Sequence, residues 1–142
     1  MKKFINKKEN IVEEMINGIL KTNPNVERVE GFNVIVNKHF DKNKVALISG
    51  GGSGHEPAHM GFVGDGMLSG AVAGEVFTSP TPDQVEAAIN ALDSKAGTLL
   101  IIKNYTGDKL NFEIAQQLAQ ASGKDVETVL VNDDVAVENS TW

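Results

Sequence analysis

The chain has 142 residues, 41% of them hydrophobic, no cysteine, and a formal net charge of −6 from 19 acidic against 13 basic side chains. That length suits one globular domain of roughly 100–150 residues, and the lack of cysteine excludes disulfides, thiolate metal sites and a cysteine nucleophile, as befits a reducing cytoplasm. The acidic balance leaves no electrostatic footprint for nucleic acid or anionic lipid, and the longest aliphatic runs, Val45–Ile48 and Leu99–Ile102, are far shorter than the ~20 residues of a membrane span.

The N-terminal stretch MKKFINKKENIVEE turns acidic instead of entering an apolar signal region, so a soluble, untargeted chain is expected. Next, ENIVEEMINGILKTNP aligns Ile11, Val12, Met15, Ile16, Ile19 and Leu20 on one helical stripe, with Asn10 as N-cap, Glu13 closing a capping box and Pro24 ending the helix. NVIVN (33–37) and KVALIS (44–49) read as strands, the second apolar on both faces, as in the middle of a sheet covered on both sides. MLSGAVAG (67–74) is a weaker strand because of its glycines, and TLLIIKN (98–104) and VETVLVN (126–132) repeat the buried-strand signature.

Two more helices alternate with these strands. SPTPDQVEAAINALDS offers Thr81 as N-cap, Pro82 at the first helical position, Gln84 closing a box, and Val85, Ala88, Ile89 and Leu92 as the inward face. GDKLNFEIAQQLAQASG offers Asp108 as N-cap, Leu110, Ile114 and Leu118 inward, and Gly123 as C-cap. The alternation predicts an α/β domain over 1–142, a largely parallel open sheet with helices on both faces.

In such sheets ligands bind outside the carboxyl ends of the strands. Three segments leave from there: SGGGSGHEP (49–57), FTSPTP (77–82) and KNYTGD (103–108). Gly50, Gly51, Gly52 and Gly54 are free to take positive φ and to aim backbone N–H groups at an oxygen-rich ligand, helped by a helix start near Pro57. The bland alternative is a tight strand-to-helix turn without a ligand. No lysine follows the last glycine, as a P-loop requires, and His55 stands where a dinucleotide motif needs its third glycine.

His55 admits two readings, a general base or a polar cap on local backbone, and its place beside the glycines favours the first. His59 would share a face with it if EPAHMGFVG were helical, but with no third ligand at sensible spacing no metal site is expected. His39 is expected in solvent, and Glu56 reads as a capping or supporting carboxylate. Asp108 caps a helix and still has a second oxygen for a ligand. Lys103, after a wholly apolar strand, either snorkels to water or meets an oxygen in the cleft; Tyr105 is packing or a lid.

Taken together, VALISGGGSGHEPAHMGFVGDGMLSGAVAGEVFTSPTP, LLIIKNYTGDKLNFEIA and VNDDVAVENS closely resemble the N-terminal part of the dihydroxyacetone kinase substrate-binding subunit of the phosphotransferase-dependent type, over essentially the whole chain. The resemblance implies a cytoplasmic α/β domain whose pocket holds dihydroxyacetone, with Gly52, Ser53, Gly54, His55, Lys103 and Asp108 on the substrate's oxygens and Ser79 in the matching FTSPTP segment. His55 would be the general base on the hydroxyl to be phosphorylated, assisted by Asp108. It implies no resident cofactor or metal, a nucleotide-binding partner subunit, and a homodimer in the full-length form. The phosphoryl group comes from a phosphorylated phosphotransferase protein through that partner, or from ATP in single-chain relatives. Family members continue past this segment and carry there a second histidine that binds the substrate carbonyl as a hemiaminal, so this chain alone is expected to have weak or no kinase activity.

A small neutral triose of hydroxyls and one carbonyl needs several directed hydrogen bonds, which backbone amides, a lysine and a carboxylate supply. Two competing classes remain at this point: a non-catalytic triose-sensing paralogue that acts as a transcriptional co-activator, and an unrelated small-molecule-binding domain that reuses the glycine segment.

Overall fold

The computed structural model describes residues 2–133, so most of the VNDDVAVENS motif lies outside the described residues. Six strands, β1 (Val26–Arg28), β2 (Val34–Asn37), β3 (Ala46–Ser53), β4 (Gly70–Val76), β5 (Thr98–Lys103) and β6 (Val126–Val131), form one sheet in the order β1-β2-β4-β3-β5-β6. The β4-β3-β5-β6 pairings are parallel, and β1 and β2 add an antiparallel margin. The sheet is therefore largely parallel, as the alternation of patterns predicts.

Its two faces are covered by different helices. In β2, Val34 and Val36 point to one face and Ile35 to the other, all three buried, as the two-residue period of a strand demands. On the first face Val34, Val36, Ala46, Ile48 and Val72 meet α2 (Pro82–Leu92) through Val85, Ala88, Ile89 and Leu92, and α3 (Thr106–Ala121) through Phe112, Ala115 and Ala119. On the second, Val26, Ile35, Ala71 and Ala73 meet α1 (Ile11–Thr22) through Val12 and Ile16, with Met60 from a single 3₁₀ turn, Met60–Phe62.

Several local expectations need correction. Neither Asn10 nor Thr81 makes a side-chain cap bond: Glu13 pairs instead with Arg28 at 2.6 Å, and the Gln84 Oε1 is buried without a partner among the described residues. Helix α3 starts three residues earlier than expected, with Tyr105 as N-cap, which puts Asp108 inside the first turn. Its buried stripe is Asp108, Phe112, Ala115 and Ala119, while Leu110 and Leu118 stay exposed. Small alanines let the helix sit close against the sheet, and that spacing of 4, 3 and 4 residues carries Asp108 under the same face. Strand β6 buries only Val126, so it lacks the two-sided cover expected for it. Strand β1 was not anticipated. Gly123, at φ 84, does follow the end of α3, as a C-terminal glycine should.

The largest departure concerns the glycines. Residues Gly50, Gly51 and Gly52 are not a loop but the continuation of β3, in register with Val72, Ala73 and Gly74 of β4. Of the four glycines only Gly54 has positive φ. No helix starts at Pro57; residues 55–59 form separate turns before the 3₁₀ turn.

Candidate functional site

Strand β3 pairs with β5 only from Ala46 to Ser49, whereas it stays paired with β4 to Ser53. Beyond Ser49 the two strands part, and a crevice opens at their carboxyl ends, flanked by the chain's crossing from β4 through α2 to β5 on the other side of β3. This is the topological switch point at which open α/β sheets bind ligands. A cavity of about 280 Å³ lies there, lined by Gly52, His55, Phe77, Ser79, Lys103, Tyr105 and Asp108.

The glycines of β3 make room for what lines this cavity. A Cβ at Gly51 would collide with the Nζ and Cε of Lys103. A Cβ at Gly52 would come within 2.6 Å of the Thr78 nitrogen and 2.9 Å of the Phe77 carbonyl carbon. The FTSP segment thus folds down onto β3, where Ser79 meets the first turn of α3: a Cβ at Gly107 would lie 2.7 Å from its Oγ. All three segments singled out in the sequence meet here.

Asp108 is the most buried polar member, 2% exposed. Its Oδ2 lies 3.8 Å from the Lys103 Nζ, an ion pair too long for a hydrogen bond, and its Oδ1 has no hydrogen-bond partner among the described residues. A carboxylate in the first turn is favoured by the helix dipole, but a buried oxygen left without a donor is costly unless a ligand supplies one. Lys103, half-buried, stands 5.3 Å from the centre of the Tyr105 ring. Of the two fates open to that lysine in the sequence, it takes the cleft.

The site residues named from the sequence divide into two groups. Gly52, His55, Ser79, Lys103 and Asp108 surround the cavity. Ser53 and Gly54 do not line it: the Ser53 Oγ donates to the Gly74 carbonyl at 2.7 Å, and the Gly54 N–H donates to the Glu56 carboxylate at 3.0 Å. Glu56 is thus a supporting carboxylate. Phe77 is the lining residue that the sequence reading missed; its positive φ of 51 gave no signal in the residue itself. His39 is exposed. His59 is half-buried, its pKa lowered to about 4 by burial first, then by the nearby Lys103 and His55 charges. Among the described residues no three His, Asp or Glu side chains group to hold a metal ion, and no helix is long and apolar enough to cross a membrane.

The chain is 56% identical over its whole length to the "PTS-dependent dihydroxyacetone kinase 1, dihydroxyacetone-binding subunit DhaK" of Listeria innocua, covering 44% of that protein. It is 48% identical to the dihydroxyacetone-binding subunit DhaK of the PEP-dependent kinase of Escherichia coli, covering 40% of it. The chain therefore spans less than half the length of these relatives. Among solved structures, the dihydroxyacetone kinase of C. freundii with AMP-PNP and Mg2+ superposes with a TM-score of 0.91 at 47% identity, over 95% of this chain and 26% of that one. A dihydroxyacetone kinase operon co-activator, DhaQ, superposes at 0.84 with 39% identity, over 88% of this chain and 38% of that one. The Dak1 domain profile matches residues 17–142, and the chain belongs to the Dak1 domain family.

Proposed function

We propose that this chain binds dihydroxyacetone in the cavity between β3 and β5 and takes part in its phosphorylation to dihydroxyacetone phosphate, the phosphoryl group being delivered by a nucleotide-binding partner subunit. The observation that carries the reading is the Asp108 carboxylate, nearly fully buried, with Oδ1 lacking a donor among the described residues and the Lys103 ammonium beside it. A small molecule with adjacent hydroxyl and carbonyl groups satisfies both: its hydroxyl donates to Asp108 and its oxygens accept from Lys103. The cavity, about 280 Å³, is at the small end of ligand sites, which favours a triose over a nucleotide.

In this reading His55 takes the hydroxyl proton as the new O–P bond forms and the donor's P–O bond breaks. Lys103 and Asp108 hold the substrate in line. Ser79 closes the side of the cavity next to α3. The protein as a whole would act in the cytoplasm as a homodimer of full-length chains.

The test is phosphorylation of dihydroxyacetone by the full-length chain with its partner and donor. His55→Ala should lower turnover about 100-fold or more, the usual contribution of a general base; unchanged turnover would remove His55 from the mechanism. A second reading, a triose-sensing co-activator, draws on the 39% identity to a dihydroxyacetone kinase operon co-activator. In that case dihydroxyacetone binds and no phosphorylation follows with any donor.

A further inference from the structure

Resting on the reading above, a general base must be held in orientation by something, and the structure withholds the usual holder. His55 is exposed, and among the described residues no hydrogen bond reaches its imidazole. Neither neighbouring carboxylate serves it: Glu56 accepts from the Gly54 N–H, and Asp108 faces Lys103 across 3.8 Å and leaves its other oxygen to a ligand. What does touch the imidazole is a ring: Phe77 packs against it at right angles, centroids 5.3 Å apart with an interplanar angle of 84°.

Phe77 has no folding reason to be where it is. It is 71% exposed, so it adds little to the core. Its φ of 51 is a conformation that bulky residues rarely adopt. Several contacts hold it there: its N–H donates to the Ser53 carbonyl at 2.8 Å, its backbone lies on Gly52, and its ring occupies the space that a Cβ at Gly54 would need, 2.8 Å from that position. Two bare glycines of the motif thus form the seat of one exposed, strained aromatic, and that aromatic abuts the candidate base.

We propose that Phe77 is a positioning residue, whose ring fixes the orientation of the His55 imidazole toward the substrate hydroxyl. Removing the ring leaves the base present but free to turn, so the loss falls on the chemical step and not on substrate binding.

The experiment uses the full-length chain with its phosphoryl-donating partner. Phe77→Ala and Phe77→Gly should each lower kcat about tenfold with KM for dihydroxyacetone changed less than twofold, and Phe77→Tyr, which keeps the ring, should restore kcat. Because glycine accepts the positive φ, Phe77→Gly keeps the fold and guards against a merely destabilised variant. The His55 imidazole resonances should move in Phe77→Gly and stay near their original positions in Phe77→Tyr, since a ring current acts at this distance. In a His55→Ala background, Phe77→Gly should have no further effect. If His55→Ala is impaired while Phe77→Gly retains full kcat, or if Phe77→Gly costs as much with His55 absent, the positioning role is wrong and the site reading stands. If His55→Ala itself turns over normally, the site reading falls and the positioning role with it.

Discussion

His59 carries a pH dependence that can be worked out from its surroundings. It lines an apolar groove with Leu47, Phe62, Met67, Ile101 and the stem of Lys103. Burial, the Lys103 ammonium and His55 lower its pKa from 6.5 to about 4, so it stays neutral in the fold where the unfolded chain would already take up a proton. Below about pH 6.5 the unfolded state binds more protons, stability falls as pH drops, and the loss levels off near pH 4. His59→Gln should therefore flatten the fall in the urea midpoint between pH 6.5 and 4 and leave stability at pH 8 nearly unchanged. An unaltered slope would mean that the histidine is solvated. This residue's role was not legible in the sequence, because its burial depends on strands far away in the chain. Asp108 was half legible: a carboxylate at a helix start is a local signal, but that it sits inside the first turn, buried and facing a lysine, follows from the stripe it shares with Phe112, Ala115 and Ala119. Bulky Leu110 and Leu118 dominate a reading by hydrophobicity and point it to the wrong face.

At the scale of elements, β3 is the part that the sequence described best and placed worst. Glycines after an apolar run signal a special backbone, and a loop is the usual answer, since glycine weakens strands. Here they extend the strand, and their value is steric. Gly51 and Gly52 make the distinction testable, because neither has positive φ. A methyl at Gly51 strikes the end of the Lys103 side chain, which can move; a methyl at Gly52 strikes the backbone at Thr78 and Phe77, which cannot. Gly51→Ala should thus fold normally and weaken dihydroxyacetone binding about tenfold in titration calorimetry, an effect that disappears in a Lys103→Ala background by a double-mutant cycle. Gly52→Ala should lose about 2 kcal/mol or more of stability in urea unfolding, as overpacking against backbone does. Equal stability for the two variants would refute the assignment of separate roles.

At the scale of the molecule, strand and helix patterns in alternation made the parallel sheet readable, and with it the edge where ligands bind, since both follow from chain direction and handedness. Which strands would flank the crevice was not readable, because it depends on β3 leaving β5 after Ser49 while it keeps β4. Nor was the positive φ of Phe77, which packs over Gly52 and Gly54 from elsewhere in the chain. The same topology makes a prediction for the whole fold. The cavity joins β3, β5, the 77–80 segment and the first turn of α3, so a ligand there ties together elements from both halves of the chain and stabilises only the folded state. At a hundredfold excess over its Kd, dihydroxyacetone should add about 2.7 kcal/mol, a rise of roughly 8–10 °C in Tm for a domain of this size. Asp108→Asn, which keeps the shape and gives up the charge, should lose most of that rise while unfolding near the original temperature without ligand. ATP alone should leave Tm where it was, because the sequence lacks a phosphate-binding P-loop and the cavity is small. A Tm raised by ATP and indifferent to dihydroxyacetone would place the ligand chemistry elsewhere, and a rise that Asp108→Asn leaves intact would take the buried carboxylate out of the site.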